Sequence, residues 1–150
     1  MNIFVSGPMR GFAEFNFPEF ARVTEWLRSQ GHTVFSPAEH ELTLGFDPTG
    51  LAGTSEELEG LTFDLRRALR DELTWLLDNA DCVVVLDGWD KSSGARAEVS
   101  AAKAIGVTVL SSTLEDVDDA PILAFREGFF EGRTKGYSAG YKDCQWDVDH

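Results

Sequence analysis

Four short apolar runs lie within residues 1–110, and glycine, proline or polar residues bound each of them. Their length and their content of Val, Ile and Phe are typical of buried strands. The runs therefore predict four β-strands, which are Asn2 to Ser6, Thr33 to Ser36, Cys82 to Leu86 and Val107 to Leu110.

Between these runs, apolar residues recur at the three- and four-residue spacing of amphipathic helices. The first helix is predicted to begin at Asn16, its N-cap, with Pro18 in the first turn and Glu19 at the capping-box position. Gly31 is a typical residue just beyond a helix C-terminus. The predicted helices are 16–30, 64–79 and 94–105.

The helix predicted at 64–79 carries its apolar residues along one stripe. Asp71 is predicted to lie on a different face of this helix, and Glu72 on the polar side. The stripe consists of Leu65, Ala68, Leu69, Leu73, Leu76 and Leu77.

These elements alternate along the chain as βαβ, a long loop, and αβαβ, which is typical of a parallel sheet with helices on both faces. We predict an α/β fold, a flavodoxin- or Rossmann-like three-layer sandwich whose parallel sheet has four or five strands in the order 2-1-3-4. In this order, the loops that follow strands one and three are neighbours at the carboxyl edge of the sheet, where such sheets bind ligands.

Two parts of the chain lack a clear periodic pattern. Residues 38–60 are predicted to form a long loop, and loops of this length in compact domains are often lids or binding loops. Residues 111–150 are predicted to form a C-terminal arm with one short helix near 121–131, packed on the domain or on a second subunit. The α/β domain itself is predicted to span residues 1–110.

Composition and charge exclude some classes of function. The chain has 150 residues, of which 43% are apolar, and is long enough for one domain with a real core. Its formal net charge of -13 argues against binding to duplex nucleic acid or to an anionic membrane, because both surfaces are themselves negative. An anionic ligand would have to be held by a local site.

The two cysteines, Cys82 and Cys144, form no disulfide or metal-ligand pattern and suit a reducing compartment. No segment has the composition of a signal peptide or the length of a membrane span. We therefore expect a cytoplasmic protein.

The turn after the first strand is a candidate ligand site. Gly7 and Gly11 allow the backbone to approach a ligand closely, and Arg10 between them offers a guanidinium suited to phosphate or carboxylate. Met9 lies in the same turn, and all four are candidate substrate-binding residues.

A second candidate site follows the third strand. The polar turn that begins at Asp87, itself a candidate substrate-binding residue, leads directly into the next helix. The free N–H groups and positive dipole end of that helix favour an anion near Ser92, Ser93 and Gly94. In the second turn of the same helix, small alanines surround Glu98, whose carboxylate is a candidate nucleophile facing the cleft.

Two motifs therefore stand in order in this chain. The first is I-F-V-S-G-P-M-R-G, and the second is D-x(9)-D-x-V-V-V-L-D-G-x(4)-S-G-x-x-x-E-V-x-x-A-x-x-x-G. Together they resemble the nucleoside 2-deoxyribosyltransferase superfamily, which includes 2′-deoxynucleoside 5′-phosphate N-hydrolases and many small, often phage-encoded relatives. The resemblance covers residues 1–110, and the order and spacing of the motifs carry it rather than either motif alone.

The resemblance implies roles for two acidic residues. In the family a helix glutamate attacks the anomeric carbon of the deoxyribose, and Glu98 occupies its place. An aspartate in the preceding helix, matched by Asp71, either orients that glutamate or handles the proton of the departing base. An ionised carboxylate can trap an oxocarbenium-like sugar as a glycosyl ester, so neither a metal nor another cofactor is expected.

Three other positions bear on the substrate. Ser92 matches the phosphate-binding serine of the nucleotide hydrolases rather than the aspartate of the nucleoside transferases. Arg10 matches the arginine of the hydrolases' G-x-x-R-G turn, so these residues and Gly94 imply a 5′-phosphate site.

Phe4 stands where the family usually has a tyrosine whose hydroxyl bonds the nucleophile. Losing that bond weakens the positioning of the nucleophile by about 1.5–3 kcal/mol or transfers the orienting role to Asp71.

These matches predict an N-glycosidase that hydrolyses 2′-deoxynucleoside 5′-monophosphates. Base exchange between nucleosides is one alternative, and a nucleotide-binding or sequestering protein with weak catalysis, suggested by Phe4, is another. The base is expected to be contacted by residues 38–60 and the tail, while Trp89 either stacks on it or covers the core. The resemblance also implies a homodimer or larger homo-oligomer and, for a phage-encoded chain, a location in the host cytoplasm.

Overall fold

The computed structural model describes residues 1–61 and 63–112, so the short helix predicted in the C-terminal arm lies outside the described residues. None of the helices within these ranges is long and apolar enough to cross a membrane. The strands and helices are β1 (Asn2–Ser6), α1 (Phe17–Ser29), β2 (Thr33–Phe35), α2 (Pro37–Thr43), α3 (Ser55–Glu59), α4 (Leu65–Asn79), β3 (Cys82–Val85), α5 (Ser93–Ala104) and β4 (Thr108–Ser111), with single 3₁₀ turns at Ala13–Asn16 and Trp89–Lys91.

The four strands form one parallel sheet in the order β2-β1-β3-β4, which confirms the predicted order. Phe4, in the middle of β1, pairs with Phe35 of β2 on one side and with Val83 of β3 on the other. Each strand agrees with its predicted bounds to within one residue at either end, because the apolar runs that form the strands stop at glycine, proline or polar residues. The fold is the predicted Rossmann-like α/β sandwich.

Side chains of β1 alternate between two cores, one on each face of the sheet. Ile3 and Val5 belong to the core that includes the buried face of α1. Phe4 belongs to the other core, with Leu76 of α4 and Val99 of α5. Helix α1 therefore covers one face of the sheet and helices α4 and α5 cover the opposite face, while the loops that follow β1 and β3 meet at the carboxyl edge.

The prediction of a plain loop over residues 38–60 was wrong, because two short helices interrupt it. The hydroxyl of Ser36 caps α2 by accepting a hydrogen bond from the N–H of Glu39. Thr54 and Glu57 form a capping box at the start of α3. Both are S/T-x-x-E patterns that the sequence contains. Apolar periodicity missed these helices because they have only 7 and 5 residues.

The turn before α1 has an unusual backbone. Glu14, Phe15 and Asn16 all have positive φ angles, from 52° to 64°, and this left-handed conformation costs about 1–2 kcal/mol for each residue. Asn16 occupies the predicted N-cap position, but the predicted capping by its side chain was wrong. Its side-chain amide instead donates to the carbonyl oxygen of Pro8 at 2.8 Å. The turn therefore holds the loop after β1 against the start of α1.

The loop between α2 and α3 is hydrogen-bonded to the same turn. The N–H of Gly11 donates to the carbonyl of Gly53 at 2.9 Å, and the N–H of Glu14 donates to the carbonyl of Leu51 at 2.8 Å. Gly53 has a φ of +87°, and a Cβ atom there would lie 1.9 Å from the carbonyl oxygen of Phe12. Glycine is needed for this close approach.

We expect Gly53→Ala to lower the free energy of unfolding by about 2–4 kcal/mol. The alanine would be strained by the left-handed backbone conformation, and its methyl group would also overlap the carbonyl oxygen of Phe12. Urea denaturation followed by tryptophan fluorescence measures this loss. Gly45→Ala is the matched control, since Gly45 also has a positive φ, +92°, but nothing lies within 4 Å of its added Cβ. This control should cost only about 1–2 kcal/mol. Equal losses in the two variants would contradict a role for the close approach.

Candidate active site

A cavity of about 710 Å³ opens at the carboxyl edge of the sheet, between the loops that follow β1 and β3. The strand order reverses at this point, which is where open α/β sheets bind ligands. The wall is formed by the loop after β1, the start of α1, residues of α2 and α4 and the first two turns of α5, together with Phe46, Ser55, Leu58 and Phe63. The described part of the chain therefore contains a concave site suited in size to a small molecule.

Seven of the predicted site residues line this cavity. They come from two segments that are far apart in the sequence, and the pairing of β1 with β3 brings these segments together. The two loops therefore converge, as the strand order predicts. The seven residues are Gly7, Met9, Arg10, Ser92, Ser93, Gly94 and Glu98.

Five predicted site residues are not part of the cavity wall. Phe4 lies fully buried in the core, and Trp89 packs against the same core, which favours the second of its two predicted roles. Asp87 is exposed outside the cavity, and Gly11 contributes its N–H to the bond with the neighbouring loop. Asp71 is the fifth, and its contacts are described below. The structure therefore does not place these side chains against a ligand in this cavity.

Glu98 lies on the cavity wall with only 5% of its surface exposed. The hydroxyl of Ser6, the last residue of β1, donates a hydrogen bond to Oε2 of Glu98. Burial raises the pKa of Glu98 to about 6, and the hydrogen bonds with Ser6 and Glu72 limit the rise, so this carboxylate is mostly ionised at neutral pH. Ser6 lies two positions after Phe4 on the same face of β1, so a hydroxyl group from this strand reaches Glu98 although Phe4 has none.

Glu72 of α4 also lines the cavity and is hydrogen-bonded to Glu98. Its side chain is buried, with 8% of the residue exposed. Burial and, after it, the charge of Glu98 raise the pKa of Glu72 to about 9, so Glu72 holds a proton at neutral pH. An ionised carboxylate beside a protonated one is the arrangement that a nucleophile and a proton donor require.

Asp71, the predicted partner of Glu98, is bonded elsewhere. Its carboxylate accepts hydrogen bonds from Nε2 of His40 at 3.0 Å and from Nη1 of Arg67 at 3.3 Å. The bond from His40 is the main cause that lowers the pKa of Asp71, so Asp71 stays charged. One residue along a helix turns a side chain by about 100°, and this step separates Asp71 from Glu72. The place beside Glu98 therefore belongs to Glu72, which corrects the sequence-based assignment.

The sequence did not single out Glu72, because leucines lie on several faces of α4. The buried residues of α4 are Ala68, Glu72 and Leu76, at a strict four-residue spacing. Leu65 and Leu77, which belong to the predicted stripe, are 55% and 48% exposed. Treating every leucine as buried rotated the predicted face of the helix and placed Glu72 on its polar side.

An ion pair that the sequence did not indicate reaches the same cavity. Glu41 of α2 is 2% exposed and lines the cavity, and both of its carboxylate oxygens accept from Nη2 of Arg67, at 3.0 and 3.2 Å. The charge of Glu41 also contributes to the raised pKa of Glu72, so the two residues are close. In the ranges that the structure describes, no three His, Cys, Asp or Glu side chains are grouped as metal ligands would be.

A second part of the wall, which we call the cationic end, consists of Arg10, Lys91, Ser92, Ser93 and Gly94. Among the described residues, Arg10 and Lys91 have no ion-pair partner. The N–H groups of Ser93 and Gly94, in the first turn of α5, have no acceptor within 1–61 or 63–112. Ser92 caps α5 through its hydroxyl oxygen and keeps its hydroxyl hydrogen to donate. Lys91 is a further candidate that the sequence analysis missed, although it is the one cation in the turn after β3.

Four phenylalanine rings, which we call the aromatic wall, line another part of the cavity. Phe46 is central, because its ring centre lies 5.6 Å from those of Phe15 and Phe17 and 5.8 Å from that of Phe63. Phe46 comes from the segment 38–60, so this segment contributes to the cavity as a binding loop would.

Comparison with known proteins identifies a family for most of the chain. The sequence profile of the family described as Domain of unknown function (DUF4406) matches residues 1–111. No curated protein and no solved structure matches the chain. The family match extends from β1 to the end of β4 and includes every cavity residue named above.

Proposed function

Since the chain belongs to the DUF4406 family, whose description names no activity, we propose its function from the cavity. The protein hydrolyses the N-glycosidic bond of 2′-deoxynucleoside 5′-monophosphates, and Glu98 is the nucleophile. The observation that carries this proposal is that Glu98 and Glu72 lie buried side by side on the wall of a cavity, where burial raises the pKa of both carboxyl groups. Burying two carboxyl groups opposes folding, so such pairs are more typical of active sites than of cores. The resemblance to deoxyribosyltransferases supports the same activity.

The spacing along α5 fits a deoxyribose 5-phosphate. A phosphate at the cationic end accepts hydrogen bonds from the first turn of α5 and pairs with Arg10 and Lys91. Glu98 lies four residues after Gly94, which corresponds to a rise of about 6 Å along the helix. This rise is comparable to the distance from the phosphate to the anomeric carbon. With the phosphate bound at the first turn of α5, the anomeric carbon therefore lies beside Glu98.

In the first step, a carboxylate oxygen of Glu98 attacks the anomeric carbon as the bond from that carbon to the base nitrogen breaks. The electron pair of the broken bond goes to the base, and the carboxyl group of Glu72 donates its proton to the base. The sugar is then held as a glycosyl ester of Glu98, and Glu72 is ionised. Ser6 orients the attacking carboxylate through its hydrogen bond.

In the second step, Glu72 takes a proton from a water molecule, whose oxygen attacks the anomeric carbon. The ester bond to Glu98 breaks, and its electron pair returns to the carboxylate. Deoxyribose 5-phosphate leaves, Glu98 is ionised and Glu72 is protonated, as at the start. The same residue thus acts first as an acid and then as a base, as in retaining glycosidases.

Base exchange is the second candidate, because it shares the first step and differs only in that a second base replaces water as the acceptor. A free base that accelerates consumption of the substrate distinguishes it from hydrolysis. Binding without turnover was suggested by Phe4, which has no hydroxyl. The hydrogen bond from Ser6 to Glu98 weakens that suggestion.

The role of the cationic end is tested by comparing nucleotides with nucleosides. Each common 2′-deoxynucleoside 5′-monophosphate and its nucleoside is incubated with the protein, and the free base is measured by chromatography. We expect a higher kcat/KM for the nucleotides. We also expect Lys91→Gln and Arg10→Gln each to raise KM for nucleotides about tenfold, because each removes a hydrogen bond to a charged group, while KM for nucleosides stays unchanged.

Lys103→Gln is the matched control for the loss of a positive charge. Lys103 is exposed in the last turn of α5, outside the cavity, and its replacement should leave KM unchanged. Equal changes of KM for nucleotides and nucleosides would show that these cations do not bind the phosphate. Failure of the wild-type protein to release base from any of these substrates would overturn the hydrolase proposal.

A further inference from the structure

The arrangement of acidic residues also bears on which base the cavity accepts, an inference that rests on the proposed function. Three acidic residues follow one another along the wall from α5 through α4 to α2. Glu98 is hydrogen-bonded to Glu72, and the charge of Glu41 raises the pKa of Glu72, so Glu72 and Glu41 are close. A sugar that is attacked by Glu98, with its phosphate at the cationic end, therefore directs its base towards Glu72 and Glu41.

The aromatic wall gives this region an apolar surface. Its rings are tilted or edge-on to one another, so they offer both faces and edges to a flat heteroaromatic base. Stacking on such rings does not distinguish one base from another, because every base has a π-face. Discrimination between bases must come from polar groups in the same region.

Glu41 is suited to that discrimination. Nη2 of Arg67 donates to both oxygens of Glu41, which fixes the carboxylate and leaves other lone pairs for a ligand. Arg67 is itself held by Asp71 at 3.3 Å, and Asp71 by His40 at 3.0 Å. An ionised carboxylate accepts hydrogen bonds but cannot donate one. It therefore favours an N–H group and disfavours a carbonyl oxygen.

We propose that Glu41 makes the cavity selective for nucleobases with an exocyclic amino group, which are cytosine, adenine and guanine, over uracil and thymine. Cytosine and uracil show the reason most directly, because cytosine has an amino group at position 4 where uracil has an oxo group, although N3 also differs and carries a hydrogen only in uracil. The amino group of cytosine donates a hydrogen bond to Glu41. With Glu41 facing position 4, the oxo group of uracil would place a lone pair against the carboxylate and would have no donor there.

The test measures binding in the Glu98→Gln protein, so that no turnover disturbs it. Isothermal titration calorimetry gives the Kd of 2′-deoxycytidine and 2′-deoxyuridine 5′-monophosphates. We expect the cytosine nucleotide to bind roughly tenfold to a hundredfold more tightly. With Glu41→Gln added, the ratio should fall to about one or reverse, because the new amide can donate to the oxo group of uracil.

Glu39→Gln is the matched control, since Glu39 lies on the same helix but pairs with Arg28 at the surface, and it should leave the ratio unchanged. Because both Kd values are measured in the same protein, their ratio is not affected by a general loss of affinity. If Glu41→Gln does not fold, the ratio measured in the protein with native Glu41 still tests the inference. Equal Kd values for the two nucleotides there would overturn this inference and leave the proposed hydrolysis intact. Absence of binding by either nucleotide would instead overturn the proposed function, and with it the selectivity.

Discussion

Replacing Glu98 with glutamine is expected to lower the rate of base release from 2′-deoxynucleoside 5′-monophosphates by about 10³-fold or more, the scale seen when a nucleophile is removed. Glutamine keeps the size of the side chain and can still accept the hydrogen bond from Ser6. It has no ionised oxygen to attack the anomeric carbon, so the glycosyl ester cannot form. Chromatography of the free base under single-turnover conditions measures the loss.

The control for this variant is Glu56→Gln, on the exposed surface of α3 outside the cavity, which should leave the rate unchanged. The Kd for the nucleotide should also change little in Glu98→Gln, since the cationic end remains. A variant that binds normally and releases base at the wild-type rate would rule out Glu98 as the nucleophile.

Glu72→Gln is expected to lower kcat by about 10²–10⁴-fold, the usual contribution of general acid–base catalysis. The pH dependence of kcat/KM should also change. In the wild type, activity should rise as Glu98 loses its proton, near its pKa of about 6, and fall as Glu72 loses its proton, near its pKa of about 9. Because glutamine does not titrate, the residual activity of Glu72→Gln should keep the acidic limb of this profile and lose the alkaline limb.

Asp71→Asn is the matched comparison for Glu72→Gln, because the two acids are adjacent on α4 and only Glu72 lines the cavity. We expect Asp71→Asn to lower kcat less than tenfold and to keep both limbs of the pH profile, since Asp71 acts on Arg67 rather than on Glu98. A larger loss in Asp71→Asn than in Glu72→Gln would restore Asp71 to the role that the sequence resemblance implies.

Stability provides a check that the loss of activity in Glu72→Gln does not come from unfolding. The carboxyl of Glu72 has a pKa of about 9 when folded and an ordinary value of 4.5. Between these pH values the folded protein binds more protons than the unfolded chain, so this group makes stability fall as pH rises from about 4.5 to about 9. Glutamine removes that dependence, so urea denaturation at pH 8 should show no loss of stability in the variant.

Local patterns were sufficient for the fold and for part of the site. The four strands are apolar runs with clear ends, and their alternation with helices leaves few possible topologies, because parallel crossovers are right-handed. The strand order then predicts that the loops carrying Arg10 and Ser92 are neighbours. Glu98 could be found as well, because it stands among alanines in the second turn of a helix that begins at the sheet edge.

The other residues of the proposed site depended on contacts between elements. Ser6 looks like the polar end of a strand, Glu72 like one of several charged residues on an amphipathic helix, and Glu41 like part of an acidic loop. In the structure all three are buried and line or contact one cavity. Nothing in the local sequence distinguishes a buried glutamate from an exposed one when leucines lie on several faces of the helix.

The sequence by itself therefore determined the α/β fold, the strand order and the position of the cleft, since each follows from the periodicity of short segments, and the local surroundings of Glu98 made it a candidate nucleophile. Only the tertiary structure decided which acid stands beside Glu98. That choice depends on the rotation of α4 against α5, and a difference of one residue turns the side chain by about 100°. Burial in the shared cavity then separates the pKa values of Glu72 and Glu98, and no local pattern contains that interaction.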